Sequence, residues 1–374
     1  MSQGRLADPV APDCNALDWG NMALFTKPTP AVSPNLPLPS DAEEHPSAAW
    51  RQGLRSAVRD PAELCRLLEL PATLIPAARR AAEKFGLFAP RGYIARMRSG
   101  DPHDPLLRQI LPLGEELIET PGFTQDPVDD GAAQREPGLL QKYESRVLLV
   151  TTGACAVHCR YCFRRHFPYS EAPKSPAQWQ PAIDAVAADP TIEEVILSGG
   201  DPWTIVDEVL EPLVRKLEQI PHLRRLRVHT RLPIMLPERV CDSLLRWFSA
   251  DGTRLTPICV LHANHAAELG DDVADACERL RRAGVTLLNQ TVLLRGVNDT
   301  VAALVELSRR LVDVGVIPYY LHQLDRVAGA AHFEVPEHVG MSLIAALRER
   351  LPGYAVPRYV REIPGEKSKS PLYD

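Results

Sequence analysis

The stretch that decides the fold is residues 147–163, VLLVTTGACAVHCRYCF, in which a short apolar run leads directly into three closely spaced cysteines. The run VLLVTT, residues 147–152, has the length and the β-branched content of a buried strand. Cys155, Cys159 and Cys162 follow it with the spacing C-x3-C-x2-C. Because thiolates are soft ligands, this strand is predicted to carry a metal or cluster site at its carboxyl end.

The chain downstream of this stretch alternates strand-like apolar runs with amphipathic helical segments. Five further strands are predicted, at residues 194–200, 226–230, 258–263, 286–294 and 317–323. Such alternation predicts an α/β fold with a parallel sheet and right-handed crossovers. An open partial (β/α)6 barrel and a closed eight-unit barrel both agree with the pattern. Polar residues follow each strand, as expected where the carboxyl-terminal rim of a barrel carries the chemistry.

Composition divides the 374 residues into three parts. Residues 1–45 are rich in proline and are predicted to form a flexible N-terminal segment. Residues 46–139 are predicted to form a helical N-terminal extension that ends in a polar connection over residues 121–139. Residues 140–374 are predicted to form the barrel and a C-terminal segment.

Charge and hydropathy exclude several classes of protein. The formal net charge of -6 argues against nucleic-acid and anionic-membrane partners, since both favour basic surfaces. No apolar run approaches the roughly 18–20 residues that span a bilayer, and the first residues lack the pattern of a signal peptide. We therefore expect a cytoplasmic protein, and its oligomeric state stays open, a homo-oligomer included.

The cysteine triplet allows two kinds of metal site. A structural zinc site is closed by four ligands, so His158 or His166 would have to supply the fourth. Electron-transfer four-iron clusters usually have four cysteines, whereas three leave one iron open, as a catalytic cluster requires. The position directly after the first strand favours an open 4Fe-4S cluster. A non-catalytic zinc or iron–sulfur protein is the alternative of another class.

These motifs resemble the radical S-adenosylmethionine (radical SAM) superfamily and, within it, the lysine 2,3-aminomutase family. The segments that carry the resemblance are KYESRVLLVTTGACAVHCRYCFRRHFPY, SGGDPW, HTRLPI, HANH, LLRGVND and PYYLHQLD, in the family's order. The resemblance covers residues 48–374 and is greatest with the short bacterial branch that makes β-lysine for elongation factor P. It implies a radical SAM partial barrel with a 4Fe-4S cluster on Cys155, Cys159 and Cys162, whose open iron binds SAM.

The resemblance also implies a second cofactor, pyridoxal 5'-phosphate (PLP). The cofactor-binding residues that it implies are Ser198, Gly199, Gly200 and Asp201 for SAM, Tyr143 and Arg146 for the phosphate of PLP, and Lys369 for a Schiff base with PLP. The lysine is placed by the pattern P-G-x-x-x-K-[ST]-P near the end of the chain. That register selects Lys369 as the catalytic lysine rather than Lys367.

Three residues are implied in holding the substrate. Arg164 matches the arginine that binds the α-carboxylate, a task that suits its planar fork. Asp299 and Glu362 match the acidic positions for the ε-ammonium, although Asp299 could equally be the N-cap of the following helix. The strand-end histidines are taken as pocket lining without a role, and they are His229, His262, His265 and His322.

The resemblance therefore implies an isomerase that converts L-lysine to (R)-β-lysine. Its implied purpose is β-lysylation of elongation factor P, with that factor and its lysyl-tRNA-synthetase-like ligase as partners. A free-standing lysine 2,3-aminomutase of β-lysine metabolism is the alternative.

Overall fold

The computed structural model describes residues 49–170, 172–173 and 175–372, and within these residues the centre of the fold is one ten-stranded sheet. The strands lie side by side in chain order. They are β1 (Gln134–Glu136), β2 (Leu139–Tyr143), β3 (Arg146–Thr152), β4 (Glu194–Gly199), β5 (Arg225–Thr230), β6 (Thr256–Leu261), β7 (Thr286–Val292), β8 (Ile317–His322), β9 (Arg358–Arg361) and β10 (Ser370–Pro371). The predicted flexible segment, residues 1–45, lies outside the described residues.

Helices form the N-terminal extension and connect the parallel strands. They are α1 (Ala49–Arg55), α2 (Pro61–Leu67), α3 (Ile75–Lys84), α4 (Arg91–Ile94), α5 (Pro105–Arg108), α6 (Gln180–Ala188), α7 (Asp207–Glu218), α8 (Leu232–Met235), α9 (Asp242–Trp247), α10 (Asp271–Arg282), α11 (Val301–Asp313) and α12 (Glu337–Arg348). In the part of the chain that the structure describes, every helix is too short or too polar to cross a lipid bilayer.

The strand pairing decides between an open and a closed barrel. Strands β3 to β9 pair in parallel, while β1, β2 and β10 pair antiparallel at the two edges. Six strand–helix units run from β3 to α12, and β9 follows them. No pairing joins the two edges within the described residues, whereas a closed barrel requires it. The partial (β/α)6 barrel is confirmed, and the closed alternative is excluded.

Each parallel strand turns one face to the helices and the other to the interior of the barrel. In β5, Leu226 and Val228 are fully buried in the core between sheet and helices. Arg227 and His229 alternate with them and are only partly buried, since successive side chains of a strand point to opposite faces. The interior of the barrel is therefore lined by polar side chains, while the outer face of the sheet supplies the hydrophobic core.

The N-terminal extension packs on the barrel through the same core. Trp50, Leu64 and Leu106 of the extension belong to the buried cluster that contains Leu226 of β5. The predicted polar connection ends in strands β1 and β2, because Leu139 and Leu140 pair with β3 and become buried. This antiparallel edge depends on tertiary pairing and has no strand-like run in the sequence.

Candidate active site

The three cysteines lie in the loop that follows β3, as the sequence predicts. In the structure they are free thiols and partly buried. Burial raises the pKa of the Cys155 thiol well above its ordinary value and that of Cys162 to about 11. Because thiols bind metals as thiolates, loading of this loop with iron is expected to release protons.

The N-terminal extension holds this cysteine loop through a buried ion-pair cluster. Glu116 accepts hydrogen bonds from Arg160 at 2.8 and 2.6 Å and from Arg165 at 2.8 Å. The Glu116 side chain is 1% exposed. Both arginines belong to the segment that surrounds Cys162, so the extension fixes the conformation of the ligand loop.

Replacing Glu116 with glutamine tests this clamp. Two buried guanidinium groups would lose their carboxylate, and breaking a buried ion pair costs about 3–5 kcal/mol. We expect a lower free energy of unfolding for the cluster-free protein, measured in urea, and fewer irons per chain after reconstitution. The matched control is Glu115→Gln, since Glu115 is exposed. Equal stability and iron content in the two variants would contradict the clamp.

The environment of the loop argues against a single zinc ion. The two histidines considered as a fourth ligand are hydrogen-bonded elsewhere, His158 to Gly86 O at 2.8 Å and His166 to Ala328 O at 3.1 Å. Among residues 49–170, 172–173 and 175–372, no three His, Cys, Asp or Glu side chains are grouped as they would be around one metal ion. In a cluster the cysteines bind different irons and need not converge on one point. The loop therefore fits a cluster better than a mononuclear site.

The glycines at the end of β4 let this strand end pack against the cysteine loop. Gly199 has a φ of +124°, and a Cβ there would lie 2.5 Å from Thr152 O. A Cβ on Gly200 would lie 2.2 Å from Ala154 O. Only glycine fits at both positions, so the segment predicted to bind SAM lies directly beside the segment predicted to bind the cluster.

Asp201 has its carboxylate engaged within the protein. Its Oδ1 accepts from Thr230 Oγ1 at 2.8 Å, and its Oδ2 accepts from Arg231 N at 2.6 Å. Burial raises its pKa to about 6. Asp201 thus ties the end of β4 to the end of β5, a positioning contact that the sequence does not reveal.

Five charged side chains form what we call the ionic chain, and it joins the predicted substrate and PLP residues. Lys369 pairs with Glu362, whose other oxygen lies 2.9 Å from Lys142 Nζ. Asp130 lies 2.7 Å from Lys142 and also 2.7 Å from Arg164. Sequence reasoning missed Lys142 and Asp130. Lys142 stands beside the motif residue Tyr143, whereas Asp130 has no pattern that singles it out.

Strand register explains one contact of the ionic chain. Ser370 of β10 lies opposite Arg361 of β9. The next residues outward, Lys369 and Glu362, therefore meet across the antiparallel pair. Lys367 is exposed and forms no ion pair with any described residue, so the register favours Lys369 as the site lysine.

The cations of the ionic chain keep the carboxylate of Glu362 ionised at neutral pH. Burial alone would raise the pKa of Glu362, but Lys369 and Lys142 outweigh it and lower the pKa to about 2. The ion pairs of Glu362 therefore stabilise the folded protein at pH values above the ordinary glutamate pKa. This stabilisation is lost as the pH falls towards 2. Three cations and two anions leave the chain with one net positive charge, which suits an anionic group such as a carboxylate.

Arg164 connects the ionic chain to the glycine segment. Its guanidinium is buried, with Nε bonded to Asp130 and Nη1 3.3 Å from Ser198 Oγ. Arg164 is also the second residue after Cys162. The cysteine loop, the glycine segment and the ionic chain are thus brought to one region at the carboxyl ends of β3, β4 and β9, whereas Tyr143 and Arg146 lie at the amino end of β3.

The barrel interior below this region is cationic. The Arg146 guanidinium lies 4.4 Å from the centre of the Tyr143 ring. Burial lowers the pKa of Arg227, and the nearby Arg146 charge acts in the same direction. Within the described part of the chain, Arg227 Nε and His229 Nε2 are buried without a hydrogen-bond partner. Arg227 pairs with Glu194 through Nη2, so its unpartnered Nε and the Arg146 guanidinium are the groups that fit an anionic phosphate. The sequence gives no sign of Arg227.

Three of the four strand-end histidines line the interior, and the fourth does not. Burial lowers the pKa of His229 and His322 well below the ordinary value and that of His262 to about 3, so all three are neutral at pH 7. His265 instead caps a short helical turn, with Nδ1 accepting from Ala267 N at 3.1 Å. The prediction of His265 as pocket lining was wrong, because capping takes its side chain.

Asp299 lies outside the ionic chain. Its Oδ1 accepts from Gly296 N at 2.9 Å, and the structure places no ion pair between it and the other described residues. The N-cap of α11 is Thr300, whose Oγ1 accepts from Ala303 N. The capping alternative for Asp299 is therefore excluded, and its contact with substrate stays a prediction.

Comparison with known proteins places this site in a family. Residues 149–307 match the profile of the Radical SAM superfamily. The chain is 48% identical over 324 residues to the L-lysine 2,3-aminomutase of Escherichia coli (strain K12). This alignment covers 86% of this chain and 94% of that protein. It is 42% identical over 333 residues to the Haemophilus influenzae protein of that name, covering 89% and 98%.

A more distant relative has the same printed name. The L-lysine 2,3-aminomutase of Clostridium subterminale is 34% identical over 325 residues, covering 86% of this chain and 77% of that protein. Membership of the superfamily implies a 4Fe-4S cluster and SAM. The chain therefore belongs to the radical SAM superfamily and, within it, to the L-lysine 2,3-aminomutase family of isomerases.

Proposed function

We propose that this protein converts L-lysine to (R)-β-lysine, using PLP and a radical derived from SAM. The observation that carries the proposal is the ionic chain, which links Lys369 and Glu362 to Arg164 beside the cysteine loop. The relatives named L-lysine 2,3-aminomutase support the choice of lysine as substrate.

Different residues of the site would hold the different cofactors. Cys155, Cys159 and Cys162 would bind the cluster, and the segment from Ser198 to Asp201 would bind SAM. Lys369 would hold PLP covalently, with Arg146 and Tyr143 at its phosphate and Arg227 nearby. When bound, PLP supplies a π system through which the amino group migrates, and SAM supplies the radical that removes and returns a hydrogen atom.

The ionic chain would hold the substrate at both ends. Asp130 fixes the Arg164 guanidinium through Nε. The outer nitrogens, of which Nη1 also contacts Ser198 Oγ at 3.3 Å, would bind the α-carboxylate of lysine. Glu362 has two cationic partners in the free protein. Once Lys369 is engaged with PLP, one oxygen of Glu362 becomes available for another ammonium group. We assign the ε-ammonium of lysine to Glu362 together with Asp299.

Replacing Asp299 with alanine tests this assignment. A lost hydrogen bond to a charged group is worth about 1.5–3 kcal/mol, so we expect the KM for lysine to rise roughly tenfold to a hundredfold. The PLP content should not change, because Asp299 makes no contact with the PLP residues. The control is Asp313→Ala at the exposed end of α11. An unchanged KM in the Asp299 variant would show that Asp299 does not bind the substrate.

We further propose that the β-lysine serves β-lysylation of elongation factor P. The match over 94% and 98% of the length of the E. coli and H. influenzae relatives supports this purpose. Lysine, elongation factor P and its lysyl-tRNA-synthetase-like ligase would then be the partners. Lysine could be rearranged either free or after attachment to the factor.

The deciding experiment is an anaerobic incubation with L-lysine, SAM, PLP and a reductant, with β-lysine measured by mass spectrometry. Absence of β-lysine from fully loaded protein would refute the proposed reaction. Adding elongation factor P and its ligase then tests the purpose, through a mass increase on the factor. Formation of β-lysine without preferential transfer to the factor would favour the second candidate, a free-standing aminomutase of β-lysine metabolism.

A further inference from the structure

Arg231 lies directly behind the cysteine loop and contacts one of its sulfur atoms. Its Nη1 donates a hydrogen bond to Cys159 Sγ, with 2.8 Å between nitrogen and sulfur. Arg231 is 6% exposed. It follows β5, so its position relative to Cys159 is set by the sheet and not by the cysteine loop itself.

A buried polar network fixes the guanidinium from several sides. Nη2 donates to Gln109 Oε1 at 2.6 Å and to Glu268 Oε2 at 2.7 Å. Nη1 also donates to Tyr161 OH at 3.0 Å. Glu268 and Gln109 are fully buried. The contact with sulfur is therefore held by a rigid frame and is unlike that of a mobile surface arginine.

A fixed N–H donor beside a cluster ligand affects the energy of electron transfer. The buried Glu268 carboxylate offsets the charge of the Arg231 guanidinium, so the effect comes from the N–H directed at Cys159 Sγ. Reduction adds one negative charge to the cluster, and in a buried site solvent screens this interaction poorly. Hydrogen bonds to the sulfurs are among the factors that set iron–sulfur potentials. The Arg231 contact should stabilise the reduced cluster more than the oxidised one.

We propose that Arg231 is a positioning residue that raises the reduction potential of the cluster through its N–H···S hydrogen bond to Cys159. The proposal rests on the 4Fe-4S site assigned above to Cys155, Cys159 and Cys162. It gives the buried network around Glu268 a role in the reaction, because that network holds Arg231 in place. The higher reduction potential would let a weaker reductant reduce the cluster.

The test is Arg231→Lys, reconstituted anaerobically with iron and sulfide and titrated electrochemically with EPR detection of the reduced cluster. A single ammonium cannot serve all five acceptors that the guanidinium serves, of which Tyr93 OH is the fifth at 3.5 Å. At a fixed solution potential we expect the ratio of reduced to oxidised cluster to fall about tenfold, which is about 59 mV for a one-electron couple. An unchanged midpoint potential in the loaded variant would overturn the proposal.

Arg239→Lys is the matched control. Arg239 is also fully buried and forms an ion pair at 2.7 Å, with Asp207, but it does not contact the cysteine triplet. We expect lower thermal stability with an unchanged midpoint potential. If Arg239→Lys shifts the potential as far as Arg231→Lys does, the shift reports general loosening of the fold and the proposal fails.

Tyr161→Phe is a second test, in which we expect the midpoint potential to shift in the opposite direction. This variant decides the question if Arg231→Lys retains no cluster. Removing the hydroxyl leaves Cys159 Sγ as the remaining acceptor of Nη1. The midpoint potential should become less negative, and an unchanged or more negative value would overturn the proposal. Wild-type protein that binds no four-iron cluster would instead refute the proposed site, so the two failures are distinguishable.

Discussion

Replacing Cys159 with alanine is expected to remove the cluster and all β-lysine formation. In the proposed site three thiolates hold the cluster and the fourth iron position stays open for SAM, so the loop would have no spare protein ligand. Iron bound per chain after anaerobic reconstitution should fall from four to a residual, non-specific level. The absorbance of the oxidised cluster and the EPR signal of the reduced cluster should disappear with it.

The control for this prediction is Cys65→Ala. Cys65 is 1% exposed in the hydrophobic core of the extension, away from the cysteine loop. Its loss should cost about 1 kcal/mol, the centre of the range for point mutations, and leave the cluster intact. A Cys159→Ala protein that keeps four irons and their EPR signal would refute the ligand assignment.

The second large effect is expected for Lys369→Ala, which should abolish the PLP adduct trapped by borohydride. The adduct is detected as reduced phosphopyridoxyl-lysine in a C-terminal peptide by mass spectrometry. Lys369 is half-buried against Glu362 and faces the site, whereas Lys367 is exposed. Lys367→Ala should therefore keep both the adduct and lysine turnover.

Lys369→Arg separates the charge of this residue from its chemistry. Arginine can keep the ion pair with Glu362, so the free energy of unfolding should stay close to that of the wild type. It cannot form the imine, so the adduct and the activity should both be lost. If the adduct disappears in Lys367→Ala and persists in Lys369→Ala, the register assigned to the C-terminal motif is wrong.

The strands of the barrel could be predicted closely because their signal is local. β3 begins at Arg146, one residue before the predicted run, and β8 spans Ile317–His322 within the predicted 317–323. Each of these strands presents apolar residues to the helices that cover its outer face, as Leu226 and Val228 do in β5. Strands β1 and β2 had no such run, since only pairing with β3 buries Leu139 and Leu140.

The candidate site was predictable only in its motif residues. Cys159, Lys369 and Gly200 stand in short patterns that can be read along the chain. Lys142 and Asp130 have no motif of their own, and the role of Arg231 at Cys159 depends on a contact across 72 positions of sequence. His265 was misread because the same residue type at a strand end can either line a pocket or cap a turn.

The sequence by itself determined the α/β alternation, the cysteine triplet after the first parallel strand and the lysine-bearing motif at the far end of the chain. Each of these is a local pattern of hydropathy or spacing. The tertiary structure alone decided that the barrel is open, that Asp201 ties two strand ends together and that the ionic chain exists. The physical reason is range: Lys142 and Glu362 are 220 positions apart, and only the order of strands in the sheet brings their charges within 2.9 Å of each other.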